Sequence, residues 1–128
     1  MFQVQLAAVG ACTILAGLAV FQAALVCGAP LGRLAWGGQH NVLPANLRAG
    51  SAVSIALYIV FGYVALAKAG ILPSVGNESV MSVVAWVLTG YFALGVLMNA
   101  ISRSKPERAV MAPAALLLAA AYLVLALG

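Results

Sequence analysis

Side chains that could carry out chemistry are few in this sequence of 128 residues. The two acidic residues are both glutamates, Glu78 and Glu107, and the single histidine is His40. Cys12 and Cys27 are fifteen residues apart on one predicted helix, which separates them by about 22 Å and prevents a disulfide. A catalytic triad, a zinc centre or bis-histidine haem ligation needs more acid, histidine or cysteine groups than these. We therefore predict no catalytic residues, no metal site and no cofactor.

The basic residues are the strongest candidates for binding chemistry. Five of the six Lys and Arg residues fall in two short segments, 33–48 and 103–108. Guanidinium groups bind carboxylate and phosphate through paired hydrogen bonds, so the two segments would form an anionic-ligand site if the fold brings them together. The predicted ligand-binding residues are Arg33, Trp36, His40, Arg48, Asn99, Arg103 and Arg108.

The segment 28–44 is long for a loop, rich in glycine and apolar in character. Two interpretations of it stay open. In the first, it rests on the membrane surface with Trp36 among the lipid headgroups, where aromatic rings are enriched. In the second, it folds back as a lid over a cavity, and Gly37 and Gly38 allow the backbone to approach a ligand closely.

Four uncharged segments separate these polar groups and define the fold. The chain is 66% hydrophobic and 6% charged, with a mean hydropathy of +1.15, whereas a soluble domain is about 25% charged. Uncharged segments of about 18 or more apolar residues can cross a bilayer as helices. We predict an all-α membrane protein with one domain, residues 1–128, that forms a four-transmembrane-helix bundle of two helical hairpins. The predicted spans are residues 4–27, 49–67, 80–100 and 110–127.

Polar residues beside these spans predict where three of the helices begin. Asn46 and Asn77 can each accept a hydrogen bond from the free N–H groups of a first helical turn. Ser104 and Glu107 fit the capping box, in which each side chain binds the backbone N–H of the other residue. The sequence therefore predicts caps at Asn46, Asn77 and Ser104 for the second, third and fourth helices.

The distribution of charge predicts the orientation in the membrane. Loops 28–48 and 101–109 carry five basic residues, and Lys68 is the one basic residue near the opposite side. Short loops rich in Lys and Arg remain in the cytoplasm. We predict that loops 28–48 and 101–109 are cytoplasmic and that both termini are outside.

Two polar residues within the spans, Gln22 and Asn99, are costly to expose to lipid. We expect both to form hydrogen bonds between helices, which contribute about 0.6–2 kcal/mol in membranes. They are therefore predicted to hold the bundle together.

The two hairpins also resemble each other weakly. In one, Phe21 precedes Arg33 along a helix end and loop, and in the other Phe92 precedes Arg103 in the same way. Two interpretations remain open. The hairpins are either a parallel repeat about an axis along the membrane normal or two unrelated hairpins of similar composition.

The loop sequences 28–38 (GAPLGRLAWGG) and 99–108 (NAISRSKPER) resemble those of an uncharacterised family of small bacterial four-span integral membrane proteins. The resemblance extends over nearly the whole chain. It implies a location in the bacterial cytoplasmic (inner) membrane, and it implies no activity.

Two classes of function follow. The first is a small membrane protein without catalytic machinery that forms a homo-oligomer or serves as an accessory subunit of a larger membrane complex. Small residues such as Gly10 and Gly17 suit the close helix packing that this class requires. The alternative is a small transporter, channel or lipid- or anion-binding protein with its ligand at the arginine cluster. Because topology alone explains arginine in these loops, we place the first class ahead.

The predicted partners follow from the same features. The positive charge is too sparse for nucleic acid. We expect contacts with membrane lipids, including anionic headgroups, and with other protein subunits.

Overall fold

The computed structural model describes residues 2–74 and 76–128 and shows four long α-helices. Helix makes up 80% of the chain, and the described residues contain no strand. These observations confirm the predicted all-α four-helix bundle. The helices are α1 (Phe2–Val26), α2 (Ala45–Lys68), α3 (Glu78–Ala100) and α4 (Lys105–Leu127).

Each of these helices is long and apolar enough to cross a membrane. They contain 23–25 residues, which corresponds to about 35 Å of helix against roughly 30 Å of hydrocarbon. The protein is therefore a small multi-pass membrane protein. All four helices begin earlier than the predicted spans: α1 and α3 by two residues, α2 at Ala45 rather than 49 and α4 at Lys105 rather than 110. Backbone hydrogen bonding continues into the polar interface, whereas charge marks only the edge of the hydrocarbon.

The predicted cap of α3 is confirmed, and the predicted cap of α2 is wrong. Asn77 caps α3 as predicted, and its side-chain oxygen accepts a hydrogen bond from the backbone N–H of Val80 at 2.9 Å. The predicted cap at Asn46 is wrong, because Asn46 lies inside the first turn of α2. Pro44 occupies the cap position, and its carbonyl accepts from the N–H groups of the first turn. Proline restricts the backbone before a helix and thereby sets where α2 begins.

The four helices form a closed ring with two distinct ends. Helices α1 and α2 pack as one hairpin and α3 and α4 as the other, while α1 also packs on α4 and α2 on α3. The contact of α1 with α4 is more extensive than that of α2 with α3. A two-fold repeat would make these two contacts equivalent, so the bundle departs from that symmetry.

The bundle has a basic end and a terminal end. At the basic end, residues 27–44 join α1 to α2 and residues 101–104 join α3 to α4. At the terminal end, α1 begins, α4 ends and residues 69–77 connect α2 to α3.

The core is concentrated in the half of the bundle nearest the terminal end. Ala8 and Ala65 are completely buried there, and small side chains allow helices to approach closely. Tyr122 is also completely buried. Its hydroxyl donates to the carbonyl of Phe61, and its ring stacks on Phe92 with centroids 5.3 Å apart. These three aromatic residues, which we call the aromatic layer, pack together within this core.

Candidate functional site

Residues 27–44, which we call the lid loop, fold back over the basic end of the bundle. Ala35 and Leu43 of the loop are buried together with Leu25 of α1 in a small apolar cluster of their own. This cluster is separate from the main core. The loop therefore has the geometry of a lid, which was one of the two interpretations of its sequence.

A left-handed turn at Trp36 shapes the lid loop. Trp36, Gly37 and Gly38 have φ values of 54°, 77° and 73°, and a non-glycine residue in this region costs about 1–3 kcal/mol. The Trp36 indole N–H donates to the hydroxyl of Ser51 on α2 at 3.2 Å. Its ring packs so closely on Gly50 that an added Cβ there would lie 2.8 Å from it. The glycines of the turn and Gly50 on α2 together hold the indole over the helix ends.

The connection between α3 and α4 holds the lid loop from the other side. Glu107 is only 5% exposed, and its carboxylate accepts a hydrogen bond from the backbone N–H of Gly37 at 3.2 Å. The Ser104 hydroxyl donates to the carbonyl of Arg33. Gly38 packs against Ser104 where a Cβ atom would collide. The lid loop is thus attached to both hairpins.

These contacts correct the predicted capping box. Ser104 caps α4 as expected, since its hydroxyl accepts from the Glu107 N–H at 3.4 Å. The return bond is absent, because the Glu107 side chain accepts from Gly37 and the Ser104 N–H donates to Ser102 instead. The carboxylate therefore links α4 to the lid loop rather than closing its own helix end.

A basic cavity of about 990 Å³ lies between the lid loop and the α3–α4 connection. We call it the outer cavity. Arg33 comes from the lid loop, Arg103 from the α3–α4 connection and Lys105 from the first turn of α4. Arg33, Arg103 and Lys105 are exposed, and each can present its cationic group to an anion that enters the cavity. The fold therefore brings together basic residues that are about 70 positions apart in the chain.

A second cavity of about 440 Å³ lies deeper between the helices. We call it the inner cavity. Its walls are mainly apolar and aromatic and include Phe92 of the aromatic layer. Polar groups interrupt this apolar lining at Gln22, Ser54, Tyr58, Tyr91, Trp36, Asn99 and Glu107. Small-molecule sites are typically about 300–1,000 Å³, largely apolar and equipped with a few convergent polar groups, and the inner cavity has these properties.

The two cavities meet at a set of shared residues, the neck. Trp36, Met98, Asn99 and Glu107 line both cavities. The basic outer cavity and the apolar inner cavity are therefore adjacent compartments of one site. A molecule that fills both would place a charged group outside the neck and an apolar group inside it.

The structure divides the predicted ligand-binding residues into two groups. Those that line the outer cavity are Arg33, Trp36, Asn99 and Arg103. Those that line neither cavity are His40, Arg48 and Arg108. His40 is exposed on the lid loop.

Arg48 and Arg108 instead hold backbone carbonyl groups near the loops. The Arg48 Nε donates to the carbonyl of Leu43 at 2.9 Å, and its guanidinium lies so close to Gly28 that an added Cβ would be 3.0 Å away. The Arg108 Nη1 donates to the carbonyl of Ser102 at 3.0 Å. These two side chains fix the ends of the connections, because a charged donor satisfies a loop carbonyl that forms no helical hydrogen bond.

The two polar residues that were expected to join helices also differ from each other. Gln22 forms a bond between helices, since its Nε2 donates to the Tyr58 hydroxyl of α2 at 3.4 Å. Asn99 does not, because its Nδ2 donates to the carbonyl of Gly95 within α3 at 2.8 Å. An amide side chain near a helix end can reach the carbonyl four residues earlier, and this local bond replaces the one expected with another helix.

Sequence reasoning missed three residues of the site: Lys105, Glu107 and Tyr58. In the sequence, Lys105 contributes only to the predicted membrane topology, and Glu107 only to the predicted capping box. A signal for Glu107 exists, because it is the one acidic residue among five basic ones in the two connections. Tyr58 is a polar group within a span, where every polar atom needs a partner, and that requirement could have linked it to Gln22.

The site has the chemistry of binding. Among residues 2–74 and 76–128, no group of three His, Cys, Asp or Glu side chains could hold a metal ion. The groups that converge on the cavities are cations, amides, hydroxyls, one carboxylate and aromatic rings. They can bind an anion at one end and an apolar group at the other.

The resemblance of the two loop sequences to small bacterial four-span membrane proteins stays a prediction. Comparisons with protein-family models, with curated proteins and with solved structures find no match to this chain. The cavities and their lining residues therefore carry the proposed function.

Proposed function

We propose that this protein binds an anionic amphiphile at the basic end of its bundle. The observation that carries the proposal is the neck, where the basic outer cavity meets the apolar inner cavity. The anionic group would bind among Arg33, Arg103 and Lys105. The apolar part would lie between the helices. This function belongs to the lipid- or anion-binding class predicted from the sequence. Of the predicted arginines, only Arg33 and Arg103 are assigned to the anion site, because they line the outer cavity.

The position of Glu107 supports this orientation of the ligand. Its carboxylate is buried at the neck, and two like charges about 4 Å apart repel by about 4 kcal/mol at an effective dielectric constant of 20. An anionic group that passed the neck would meet this repulsion and lose the three cations. The charged end of the ligand therefore stays in the outer cavity, and only its uncharged part enters the inner one.

The location is part of the same proposal. The basic connections face the cytoplasm and both termini lie outside, because short loops rich in Lys and Arg remain in the cytoplasm. The membrane is the bacterial inner membrane, as the loop resemblance implies. The ligand would then enter from the cytoplasmic side, either from the lipid leaflet or from the aqueous phase.

Binding can be measured with two probes of equal length and opposite charge, decanoate and decyltrimethylammonium. The protein is purified in a non-ionic detergent with Trp86 replaced by phenylalanine, so that the fluorescence reports only Trp36 at the neck. We expect decanoate to bind the protein and decyltrimethylammonium to bind at least tenfold more weakly, because the outer cavity holds three cations. Both probes partition into the micelles, and this partitioning is measured in protein-free samples.

The variants R33A and R103A test the assignment of the anionic site. Each should weaken decanoate binding about tenfold, since a hydrogen bond to a charged group contributes about 1.5–3 kcal/mol. The matched control is K68A, which removes a basic residue at the terminal end and should leave binding unchanged. The proposal is contradicted if both probes bind equally well, or if R33A and R103A leave the affinity for decanoate unchanged.

A second candidate function, self-association of the bundle or docking as an accessory subunit, has one specific observation in its favour. Gly10 and Gly17 are exposed seven residues apart on α1, and a Cβ added to either would meet no atom within 4 Å. Open small residues on one helix face allow another helix to approach closely. Native mass spectrometry of G10L and G17L should show loss of an oligomer, with G90L on α3 as the control at an equally open glycine. A wild-type protein that remains monomeric contradicts self-association.

A further inference from the structure

The inner cavity contains a buried polar atom that the protein does not pair. Gln22 is 9% exposed, and its Oε1 has no hydrogen-bond partner among the described residues. The other atom of the amide, Nε2, donates to the Tyr58 hydroxyl at 3.4 Å. A buried polar atom without a partner costs about 1–3 kcal/mol. Gln22 and Tyr58 both line the inner cavity, so a bound molecule can supply the missing partner.

The choice between the two ends of the amide does not alter this conclusion. Rotation of the Gln22 amide by half a turn would exchange its oxygen and nitrogen, which are similar in size. The oxygen would then accept from Tyr58, and the nitrogen would be the atom without a partner. In one arrangement the ligand must donate a hydrogen bond, and in the other it must accept one. A hydroxyl group does both.

The ligand group at this position must also be uncharged. The inner cavity is apolar apart from Gln22, Ser54, Tyr58, Tyr91 and the neck residues Trp36, Asn99 and Glu107, and the Ser54 hydroxyl is already bonded to the carbonyl of Gly50. The Tyr58 hydroxyl accepts from Gln22 and keeps its own proton for donation. A group of either charge would be desolvated here, and an anionic group would also be repelled by Glu107 across the neck. A neutral hydroxyl satisfies both side chains.

We propose that the inner cavity is a recognition site for a hydroxyl group on the apolar part of the ligand, bound by the Gln22 amide and the Tyr58 hydroxyl. This inference rests on the proposed function, since it assigns the bound molecule to the class of hydroxylated anionic amphiphiles. The anion binds in the outer cavity, and the hydroxyl lies on the apolar chain beyond the neck. Gln22 is four residues before the end of α1 at Val26, which corresponds to a depth of about 6 Å along the helix.

The test compares ω-hydroxyalkanoates with plain alkanoates of the same length. The probes are ω-hydroxyhexanoate, ω-hydroxyoctanoate and ω-hydroxydecanoate, because their hydroxyls sample the depth of Gln22, and binding is followed by Trp36 fluorescence in W86F. We expect at least one hydroxylated probe to bind about tenfold more tightly than its plain counterpart. Without a partner in the cavity the order would reverse, since burial of an unpaired hydroxyl is unfavourable.

Variants then assign the preference to the two side chains. The double variant Q22L/Y58F should abolish the preference for the hydroxylated probe, measured as the ratio of its affinity to that of the plain probe of the same length. The matched control is S54A, which lines the same cavity but whose hydroxyl bonds its own helix, and it should keep the preference. Should the double variant fail to fold, the comparison of probes on the otherwise native chain decides the question by itself.

The outcomes separate the two proposals. If every plain alkanoate binds as tightly as its hydroxylated counterpart, and binding still depends on Arg33 and Arg103, the hydroxyl site is wrong and the proposed function stands. If neither series binds, both are wrong. A preference for the hydroxyl that persists in Q22L/Y58F also contradicts the assignment.

Discussion

The two halves of the bundle use the same kind of apolar helix for opposite purposes. In the half near the terminal end, Ala8, Ala65 and Tyr122 have no exposed surface and belong to one continuous cluster of buried side chains. In the half near the basic end, the same four helices enclose the inner cavity, with Phe92 at the boundary. Stability can therefore reside in one half while the other keeps room for a ligand.

The residue types explain this difference. Small alanines and fitted aromatic rings fill the packed half, and the Tyr122 hydroxyl has a carbonyl partner. The cavity half contains Met98, Met111 and Gln22. Methionine is flexible and adapts to irregular space, and a buried amide resists close packing unless all its hydrogen bonds are made. Matched substitutions in the two halves should therefore differ in their effects.

The largest difference should come from truncation of a core side chain. Leu125 is completely buried in the packed half, so L125A should lower the free energy of unfolding by about 2–5 kcal/mol. Met111 borders the inner cavity and is partly exposed, so M111A should cost less than about 1 kcal/mol because it already lacks neighbours on one side. Unfolding by sodium dodecyl sulfate in mixed micelles, followed by circular dichroism, measures both. Equal losses would contradict the division into a packed half and a hollow half.

Enlargement of small residues should have opposite signs in the two halves. A8L should destabilise the protein by about 1–3 kcal/mol, because a completely buried alanine has no room to grow. G95L should stabilise it by about 1 kcal/mol, since Gly95 lies within α3 on the inner-cavity wall and leucine favours helix over glycine. The same G95L substitution should weaken decanoate binding at least tenfold. Thermal unfolding in detergent and the fluorescence titration provide the readouts, and destabilisation by G95L would show that the cavity is not open space.

The smallest effects should separate the arginines. R48A and R108A should each lower stability by about 1 kcal/mol, because each side chain holds a loop carbonyl. R33A and R103A should change stability by no more than about 0.5 kcal/mol and should act on ligand affinity instead. Thermal unfolding of the four variants without ligand, and then with decanoate, measures both properties. If all four behave alike, the division between loop-holding and ligand-binding arginines is wrong.

The sequence predicts the elements of this molecule better than the spaces between them. Charge-free segments locate the four helices, and Asn77 caps α3 as its position predicts. These properties depend on neighbours in the chain. The predicted cap at Asn46 is wrong because Pro44, only two residues earlier, occupies the cap position. The capping box at Glu107 fails for a different reason, since its carboxylate binds Gly37, which is 70 residues away.

The site was predictable only in part for the same reason. The basic cluster appears in the sequence because membrane topology gathers arginine in short loops, but the sequence contains no signal that Arg48 and Arg108 turn to carbonyls while Arg33 and Arg103 face a cavity. The inner cavity is the space that side chains from all four helices leave unfilled. The pairing of Gln22 with Tyr58 joins positions 36 residues apart.

The attachment of the lid loop to α4 has a consequence for how the protein is made. Chains are synthesised from the N-terminus, and earlier segments fold first. The first hairpin and its lid loop therefore enter the membrane before Ser104 and Glu107 exist, although these two residues hold the loop at Arg33 and Gly37. The mouth of the site can close only after the last helix has inserted. A nascent chain can thus adopt its membrane topology well before the proposed binding site is assembled.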